Sequence, residues 1–360
     1  MKILFNIRMI VMALIVAAVS GMAEAKALRA ATYVMNQRTG VLMMALGYDT
    51  GLLEFRNLSG TLLASRTGLG SIIGMAFTED GDTCAPRLTI ASADGTIRII
   101  NPISPATDVR TRKFTGYTIS SFYGEEFELW VGLKSSLGAG ILTLVNKDTL
   151  ATIRTKSGFG QINFIHYVEW NGKEGVATAS VDSGGTVRIV QAIEGDNDVI
   201  TLNTVATRTG MGTITGLDTD ADVDEDGVDE IVVASTSAGG SFTVIHANNL
   251  LVNAAYRSNL GAPGQVMISD EFGQDEGRVI ALALTNGTVR TFQIQDSTAG
   301  KYICPSWRQR TGFGKVVWFD WGDTYGVNYG LINVVSTDGG TAALHSMDPA
   351  MTDITYFKVP

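Results

Sequence analysis

The stretch Leu88-Thr-Ile-Ala-Ser-Ala-Asp-Gly-Thr-Ile-Arg-Ile-Ile100 decides the fold, because apolar and polar residues alternate on both sides of an Asp-Gly turn. Two further stretches repeat this pattern: Gly175-Val-Ala-Thr-Ala-Ser-Val-Asp-Ser-Gly-Gly-Thr-Val-Arg-Ile-Val190 and Arg278-Val-Ile-Ala-Leu-Ala-Leu-Thr-Asn-Gly-Thr-Val-Arg-Thr-Phe292. Each predicts a β-hairpin, since tight turns demand the positive φ that glycine adopts without strain. The recurrence predicts a protein built from repeated hairpins.

A second recurrent element separates the hairpins and consists of a basic residue, Thr or Ser, Gly, an apolar residue and Gly. It occurs at Arg66-Thr-Gly68-Leu-Gly70, Lys156-Ser-Gly158-Phe-Gly160, Arg208-Thr-Gly210-Met-Gly212 and Arg310-Thr-Gly312-Phe-Gly314. With these loops as phase markers, seven units begin near Leu28, Ser71, Thr118, Gln161, Thr213, Gln265 and Lys315. Each unit contains four short strands in about 48 residues, which is typical of propeller blades.

The sequence therefore predicts an all-β, seven-bladed β-propeller of four-stranded antiparallel blades, spanning residues 26–360 as a single domain. Radial stacking buries the faces of many short strands and leaves no long exposed edge. The last unit has its own final strand, 352–359, so we expect the first and last blades to close the ring by packing. Strand exchange between the termini is the alternative.

Composition limits the classes of function. The 41 glycines exceed the usual frequency, and the 7 prolines suit β-ladders, because proline removes a ladder hydrogen bond. An apolar content of 45% with 18% charged residues excludes disorder. The net charge of −9, without a block of basic residues, argues against nucleic acid, whose phosphates require Lys and Arg.

The first 25 residues predict a secretory signal peptide. Lys2 and Arg8 precede an apolar run from Met9 to Val19, and small residues in an A-x-A spacing end at Ala25. The run is shorter than the roughly 20 residues that span a bilayer, and no later run is long enough. We expect an exported protein, periplasmic or at the cell surface, in which Cys84 and Cys304 are free thiols or, alternatively, a disulfide.

The fifth unit contains an acidic loop with the spacing of a calcium site: Leu217-Asp-Thr-Asp-Ala-Asp222-Val-Asp224-Glu-Asp226-Gly227-Val228-Asp229-Glu230. Alternate carboxylates converge on an ion as the backbone winds round it, and glycine permits the turn at the sixth position. With Gly227 in that position, the predicted Ca²⁺ ligands are Asp222, Asp224, Asp226, the carbonyl of Val228, and Glu230. An uncoordinated, solvated acidic turn is the alternative.

A Phe-Gly element, a strand, an acidic loop and an apolar strand together resemble the FG-GAP and related VCBS repeats. Phe159-Gly160 and Phe313-Gly314 match the Phe-Gly element, and the acidic loop of the fifth unit matches the calcium loop, with Glu230 where the family has Asp. The hairpin containing Asp94-Gly95 is also similar to WD-repeat blades, although no unit carries Trp-Asp. The resemblance implies a binding platform with a structural Ca²⁺, whose partners dock on the face opposite the metal loop.

Two groups of residues are candidates for binding a ligand. The cations Arg66, Lys156, Arg208 and Arg310 occupy equivalent positions and predict an anion-accepting rim, or alternatively contacts between blades. The aromatic residues Trp170, Trp321 and Tyr325 are flanked by polar residues, as in surfaces that stack on sugars, or alternatively fill the core.

Catalysis finds little support in the sequence. The three histidines, His166, His246 and His345, fall in different units without metal-ligand spacing. We therefore expect a non-enzymatic module that binds a protein or a glycan in adhesion or as a scaffold. A polysaccharide lyase or glycosidase of the propeller type and a subunit of an envelope assembly with no ligand of its own are the alternatives.

Overall fold

The computed structural model describes residues 27–36, 41–79, 85–124, 128–195, 199–219, 222, 229–269, 278–296, 302–303, 306–322, 331–338, 341–347, 351 and 353–358. The predicted signal peptide and both cysteines lie outside these residues. The described part of the chain forms seven four-stranded antiparallel sheets, in which neighbouring strands follow one another along the chain except where a small two-stranded hairpin interrupts the sixth. The predicted fold class, a seven-bladed β-propeller, is confirmed.

The strands of the first four blades are as follows. Blade 1 contains β1 (Leu28–Asn36), β2 (Val41–Tyr48), β3 (Leu53–Asn57) and β4 (Leu62–Arg66). Blade 2 contains β5 (Ile72–Glu79), β6 (Pro86–Ser92), β7 (Thr96–Ile100) and β8 (Asp108–Lys113). Blade 3 contains β9 (Tyr117–Gly124), β10 (Glu128–Ser135), β11 (Gly140–Asn146) and β12 (Thr152–Phe159). Blade 4 contains β13 (Ile162–Glu169), β14 (Glu174–Ser180), β15 (Thr186–Glu194) and β16 (Ile200–Arg208).

The remaining three blades repeat the arrangement. Blade 5 contains β17 (Ile214–Asp218), β18 (Ile231–Ser235), β19 (Ser241–Ile245) and β20 (Asn253–Arg257). Blade 6 contains β21 (Pro263–Ser269), β22 (Val279–Leu284), β23 (Val289–Gln293) and β26 (Ser306–Arg310), with a small hairpin of β24 (Gln295–Asp296) and β25 (Tyr302–Ile303) before its last strand. Blade 7 contains β27 (Lys315–Gly322), β28 (Leu331–Asp338), β29 (Thr341–Met347) and β30 (Asp353–Lys358). Each blade begins within two residues of its predicted start.

The first strands of the blades form the inner ring of the propeller. Each first strand contacts the first strand of the next blade, and β27 contacts β1 in the same way. The ring closes by packing, as predicted: Leu46 and Tyr48 of blade 1 share a buried cluster with Val335 and Leu344 of blade 7. In the described residues β1 pairs with β2, and β30 pairs with β29, so the two termini do not exchange strands.

The hydrophobic core is divided into seven clusters, one at each interface between neighbouring blades. The central strands are buried on both faces, as in β18 and β22, where every residue is buried. Where burial is described, in blades 1 to 5, the fourth strands are largely exposed and carry charged residues, as in β8. Charges on a sheet edge discourage pairing with another chain, so the outer edges of the ring resist edge-to-edge association.

Close backbone contact explains much of the glycine excess. Gly185, in the turn before β15, has a φ of 90°, and a Cβ on it would lie 1.8 Å from the carbonyl oxygen of Gly212 in the loop leading to blade 5. In blade 5, a Cβ on Gly240 would likewise lie 1.6 Å from the carbonyl oxygen of Gly261. The backbone carbonyl of the hairpin glycine also accepts a hydrogen bond from the backbone N–H of the apolar residue in the inter-blade loop. One example runs from the Met211 N–H to the Gly185 carbonyl at 3.0 Å. The two recurrent sequence elements are therefore contact partners.

Candidate functional site

The acidic loop of blade 5 is described only at residues 217–219, 222 and 229–230. Asp222 is half-buried, while Asp224, Asp226 and Val228 lie outside the described residues. Glu230 is fully buried just before β18, and its Oε1 lies 3.2 Å from Nδ1 of His246. Within the described parts of the chain no cluster of three metal-binding side chains occurs. Carboxylate and carbonyl oxygens are the donors that Ca²⁺ takes, so the residue types fit the ion, and the calcium site stays a prediction.

The four cations of the predicted rim connect neighbouring blades. Each stands on a fourth strand and donates to a backbone carbonyl of the next blade: Arg66 to Pro105 at 3.1 Å, Lys156 to Leu202 at 3.0 Å, Arg208 to Leu250 at 2.9 Å and Arg310 to Met351 at 3.1 Å. Arg66 also pairs with Asp108 at 2.6 Å. The structure thus gives all four the inter-blade role that the sequence left open, and ligand binding by them stays a prediction.

Arg112 is a fifth member of this group that the sequence pattern missed. Its two Nη atoms donate to the Leu150 carbonyl and to the Thr152 hydroxyl of blade 3. The loop after Arg112 reads Lys-Phe-Thr-Gly, with one residue fewer before the apolar position and no glycine in front of it, so it lacks the Gly-apolar-Gly pattern. Phe114 nevertheless occupies the apolar position, and its N–H donates to Gly95 at 2.8 Å.

The aromatic candidates are only partly described. Trp170 is half-buried and packs against the core cluster between blades 4 and 5, and its indole Nε1 is buried without a hydrogen-bond partner. This environment differs from the exposed ring that a sugar-stacking site requires. For Trp321 the structure describes the backbone alone, at the end of β27, and Tyr325 lies outside the described residues.

A histidine and a carboxylate meet on the inner ring. Nδ1 of His166, on β13, lies 3.3 Å from Oδ1 of Asp218, the last residue of β17. The second oxygen of Asp218 accepts the N–H of Ile268 on β21 at 2.9 Å, so one carboxylate connects three consecutive blades. The ring of Tyr123, on β9, lies 5.6 Å from that of His166, measured between centroids. A separation of 52 residues hides the pair from any search for a local motif.

Burial shifts the pKa values of this pair in opposite directions. It raises the pKa of Asp218 from 3.8 to about 7, because a buried carboxylate loses hydration. It lowers the pKa of His166 from 6.5 to about 4, because the imidazolium loses hydration likewise. Between these values the pair is neutral and holds one proton on the carboxyl group. A carboxyl group that titrates near neutrality is suited to general acid or base chemistry.

One face of the ring is formed by the loops between blades and by the turns between second and third strands, and we call it the loop face. Its inter-blade loops comprise residues 67–71, 114–116, 160–161, 209–213, 258–262 and 311–314. On this face Leu137, in the turn before β11, is 95% exposed, and Val181, in the corresponding turn of blade 4, is 54% exposed. Two apolar side chains therefore project into solvent from adjacent blades.

Comparisons with known proteins identify the architecture. No protein-family model and no curated protein matches the chain in sequence. The crystal structure of BBS1N in complex with ARL6DN, soaked with lead, is similar over 90% of this chain and 93% of that chain, with a TM-score of 0.63 and 12% identity. The crystal structure of the RRP9 WD40 repeats is similar over 86% and 87%, with a TM-score of 0.61 and 10% identity. At these identities the likeness shows the propeller fold.

No helix in the described residues has the length and apolar character needed to cross a membrane.

Proposed function

We propose that this chain is an exported β-propeller that binds a protein partner through its loop face, in adhesion or as a scaffold. The observation that carries the proposal is Leu137, whose side chain is 95% exposed at the tip of a turn. Burial of a leucine side chain is worth about 1.5 to 3 kcal/mol, so a partner that covers Leu137 gains binding energy from it. Val181 extends the same surface into blade 4.

The rigidity of the ring supports the proposal. The cations on the fourth strands and the carboxylate of Asp218 connect successive blades, so the turns of the loop face are held on a fixed frame. A preorganised surface loses little conformational entropy on binding. The structurally similar BBS1N was crystallised in complex with ARL6DN, which provides an example of a propeller chain with a partner.

Three finer elements belong to the proposal. The amino-terminal segment with Lys2, Arg8 and the apolar run supports export to the periplasm or cell surface. The Phe-Gly elements occupy equivalent inter-blade positions, with Phe159 and Phe313 both buried, which supports a relation to the FG-GAP and VCBS repeats. In blade 5 the carboxylates of the acidic loop would hold one Ca²⁺, whose role would be to stiffen that loop.

Affinity capture from the envelope of the source cell tests the binding surface. The immobilised mature protein is compared with Leu137→Ser and with Leu251→Ser, which removes a side chain that is 78% exposed beyond β19, at the opposite end of the blade. We expect Leu137→Ser to weaken a partner that the wild type and Leu251→Ser retain, by about 10-fold or more in Kd. Equal retention of the partner by all three proteins would contradict the loop-face assignment. If the partner is a glycan, the captured material should remain after the envelope extract is treated with protease.

A second candidate function is cleavage of a polysaccharide, either by elimination, as a lyase, or by hydrolysis, as a glycosidase. It is favoured by His166 and Asp218, which place a carboxyl group with a pKa of about 7 on the inner ring beside Tyr123. Incubation with a panel of acidic and neutral polysaccharides tests it. Turnover by the wild type that Asp218→Asn abolishes would establish the enzyme, and no turnover of any member would leave the binding module as the function.

A further inference from the structure

A pocket of about 340 Å³ lies between blades 2 and 3, and it borders the loop face through Phe114 and Thr115, although Leu137 and Val181 do not line it. Its floor consists of the buried side chains of Phe114, Leu133 and Thr143. Arg112, Tyr117 and Ile141 form half-buried walls. The exposed side chains of Lys113, Thr115, Thr152 and Thr155 surround the mouth. Pockets for small molecules begin at about 300 Å³ and combine an apolar body with a few polar groups, as this pocket does.

The guanidinium group of Arg112 brings an unneutralised positive charge to the wall. Its hydrogen bonds go to a backbone carbonyl and a hydroxyl, and both acceptors are neutral. In the described residues no carboxylate lies within ion-pair distance of it, whereas Arg66, at the equivalent position of blade 1, pairs with Asp108. Burial lowers the pKa of Arg112, which shows that its charge is partly desolvated. Partly desolvated cations interact strongly with anions.

The floor supplies a hydroxyl group that lacks a partner. The Oγ1 atom of Thr143 is buried without a hydrogen bond, although Thr143 is fully buried at the centre of β11. A buried polar atom left without a partner costs about 1 to 3 kcal/mol. Such an atom in the floor of an open pocket indicates a position where a ligand atom completes the hydrogen bonding.

We propose that this pocket binds a small organic carboxylate, with its carboxylate against Arg112 and its apolar body against Phe114, Tyr117 and Ile141. The guanidinium group offers charge-assisted hydrogen bonds that a neutral ligand cannot match. Lys113, at the mouth, adds positive charge, since its only ion pair in the described residues is a loose contact with Asp94 at 3.9 Å. The ring of Phe114 lies 4.7 Å from the guanidinium group, and Phe114, Tyr117 and Ile141 line the pocket beside it, so an aromatic carboxylate combines a charged group and a flat apolar body that match this lining.

Titration with benzoate, followed by ligand-observed NMR, tests the proposal with the uncharged benzamide as the matched probe. We expect benzoate to bind at least 10-fold more tightly than benzamide, because a charge-assisted hydrogen bond contributes about a factor of ten. Arg112→Gln should remove this preference. Arg208→Gln is the matched control, since Arg208 makes the same kind of inter-blade contact in blade 4, to Leu250 and Asn253, and does not line the pocket.

Two further variants keep the test decisive if Arg112→Gln weakens the fold. Thr155→Trp fills the mouth from an exposed position and should abolish benzoate binding without lowering the melting temperature. Thr143→Val removes the partnerless hydroxyl at nearly constant volume, and it should weaken benzoate binding several-fold while leaving the melting temperature equal or higher. Equal binding of benzoate and benzamide, equal losses in Arg112→Gln and Arg208→Gln, or full binding by Thr155→Trp would each overturn the proposal. None of these outcomes depends on the protein partner of the loop face.

Discussion

Replacement of Asp218 by asparagine is expected to change how the stability of the propeller depends on pH. The folded-state pKa of Asp218 is about 7, against 3.8 for an aspartate in water. Between these values the folded protein holds a proton that the unfolded chain has released, so the wild-type contribution of Asp218 to stability falls as pH rises. The free energy of unfolding falls by as much as about 1.4 kcal/mol per pH unit through this group. Between the two pKa values the total loss is about 4 kcal/mol at most.

His166 acts in the opposite direction. Its folded-state pKa of about 4 lies below 6.5, so the unfolded chain binds more protons in this range and stability rises with pH. The imidazole is 36% exposed, and screening by water reduces its effect below the full slope. In the wild type the two contributions oppose each other. In Asp218→Asn the histidine contribution remains, so stability should rise between about pH 4 and 6.5.

Urea unfolding between pH 4.5 and 7.5, followed by circular dichroism, measures the difference. We expect the free energy of unfolding of Asp218→Asn, relative to the wild type, to increase steadily by up to about 3 kcal/mol across this range, which covers most of the interval between the two pKa values. Asp148→Asn is the control, because it removes an exposed carboxylate from the loop between β11 and β12. A difference between Asp218→Asn and wild type that stays constant with pH would refute the assignment of a raised pKa to this buried carboxyl group.

Three other changes test the ring and the acidic loop. Gly185→Ala should lower the free energy of unfolding in urea by about 3 kcal/mol or more, because its Cβ would overlap the backbone of the next loop. Gly184→Ala is the control: Gly184 has a φ of 71° with open space around it, so the cost should be only about 1 kcal/mol. Equal losses of stability in the two variants would contradict the explanation by close backbone approach. Arg66→Gln should lower stability by about 1 kcal/mol at low salt, because it breaks the pair with Asp108, and the loss should shrink at high salt if the ion pair is responsible. A chelator should lower the melting temperature of the wild type and leave Asp224→Ala unaffected, since bound Ca²⁺ stabilises the folded state by mass action; an identical response of the two proteins would show that the loop binds no calcium.

Much of the blade architecture was predictable because its determinants are local in sequence. The alternation in the segment from Leu88 to Ile100 and the glycine in its turn specify a hairpin without reference to the rest of the chain. The recurrent inter-blade loops, used as phase markers, then divide the chain into seven units. The loop after blade 2 does not match the pattern because one residue, instead of two, separates Arg112 from Phe114. Phe114 is nevertheless buried, and Arg112 still donates a hydrogen bond to the Leu150 carbonyl of blade 3.

The candidate sites were less predictable because their residues come from different blades. His166 and Asp218 meet across an interface, and only the positions of β13 and β17 on the inner ring bring them together. The inter-blade role of Arg66 depends on the carbonyl of Pro105, a backbone atom that has no sequence signal. Trp170 illustrates the opposite case, since an aromatic residue among polar neighbours turned out to pack against the core.

The sequence by itself determined that this protein consists of seven four-stranded units with glycine at their turns, because strand alternation and positive φ are properties of neighbouring residues. Only the tertiary structure decided which units' residues meet. It closed the ring by packing Leu46 against the cluster of blade 7, joined His166 to Asp218, and opened a charged pocket beside Arg112. These features arise where the faces of separate blades come into contact, and that geometry follows from burial of all seven sheets around one axis.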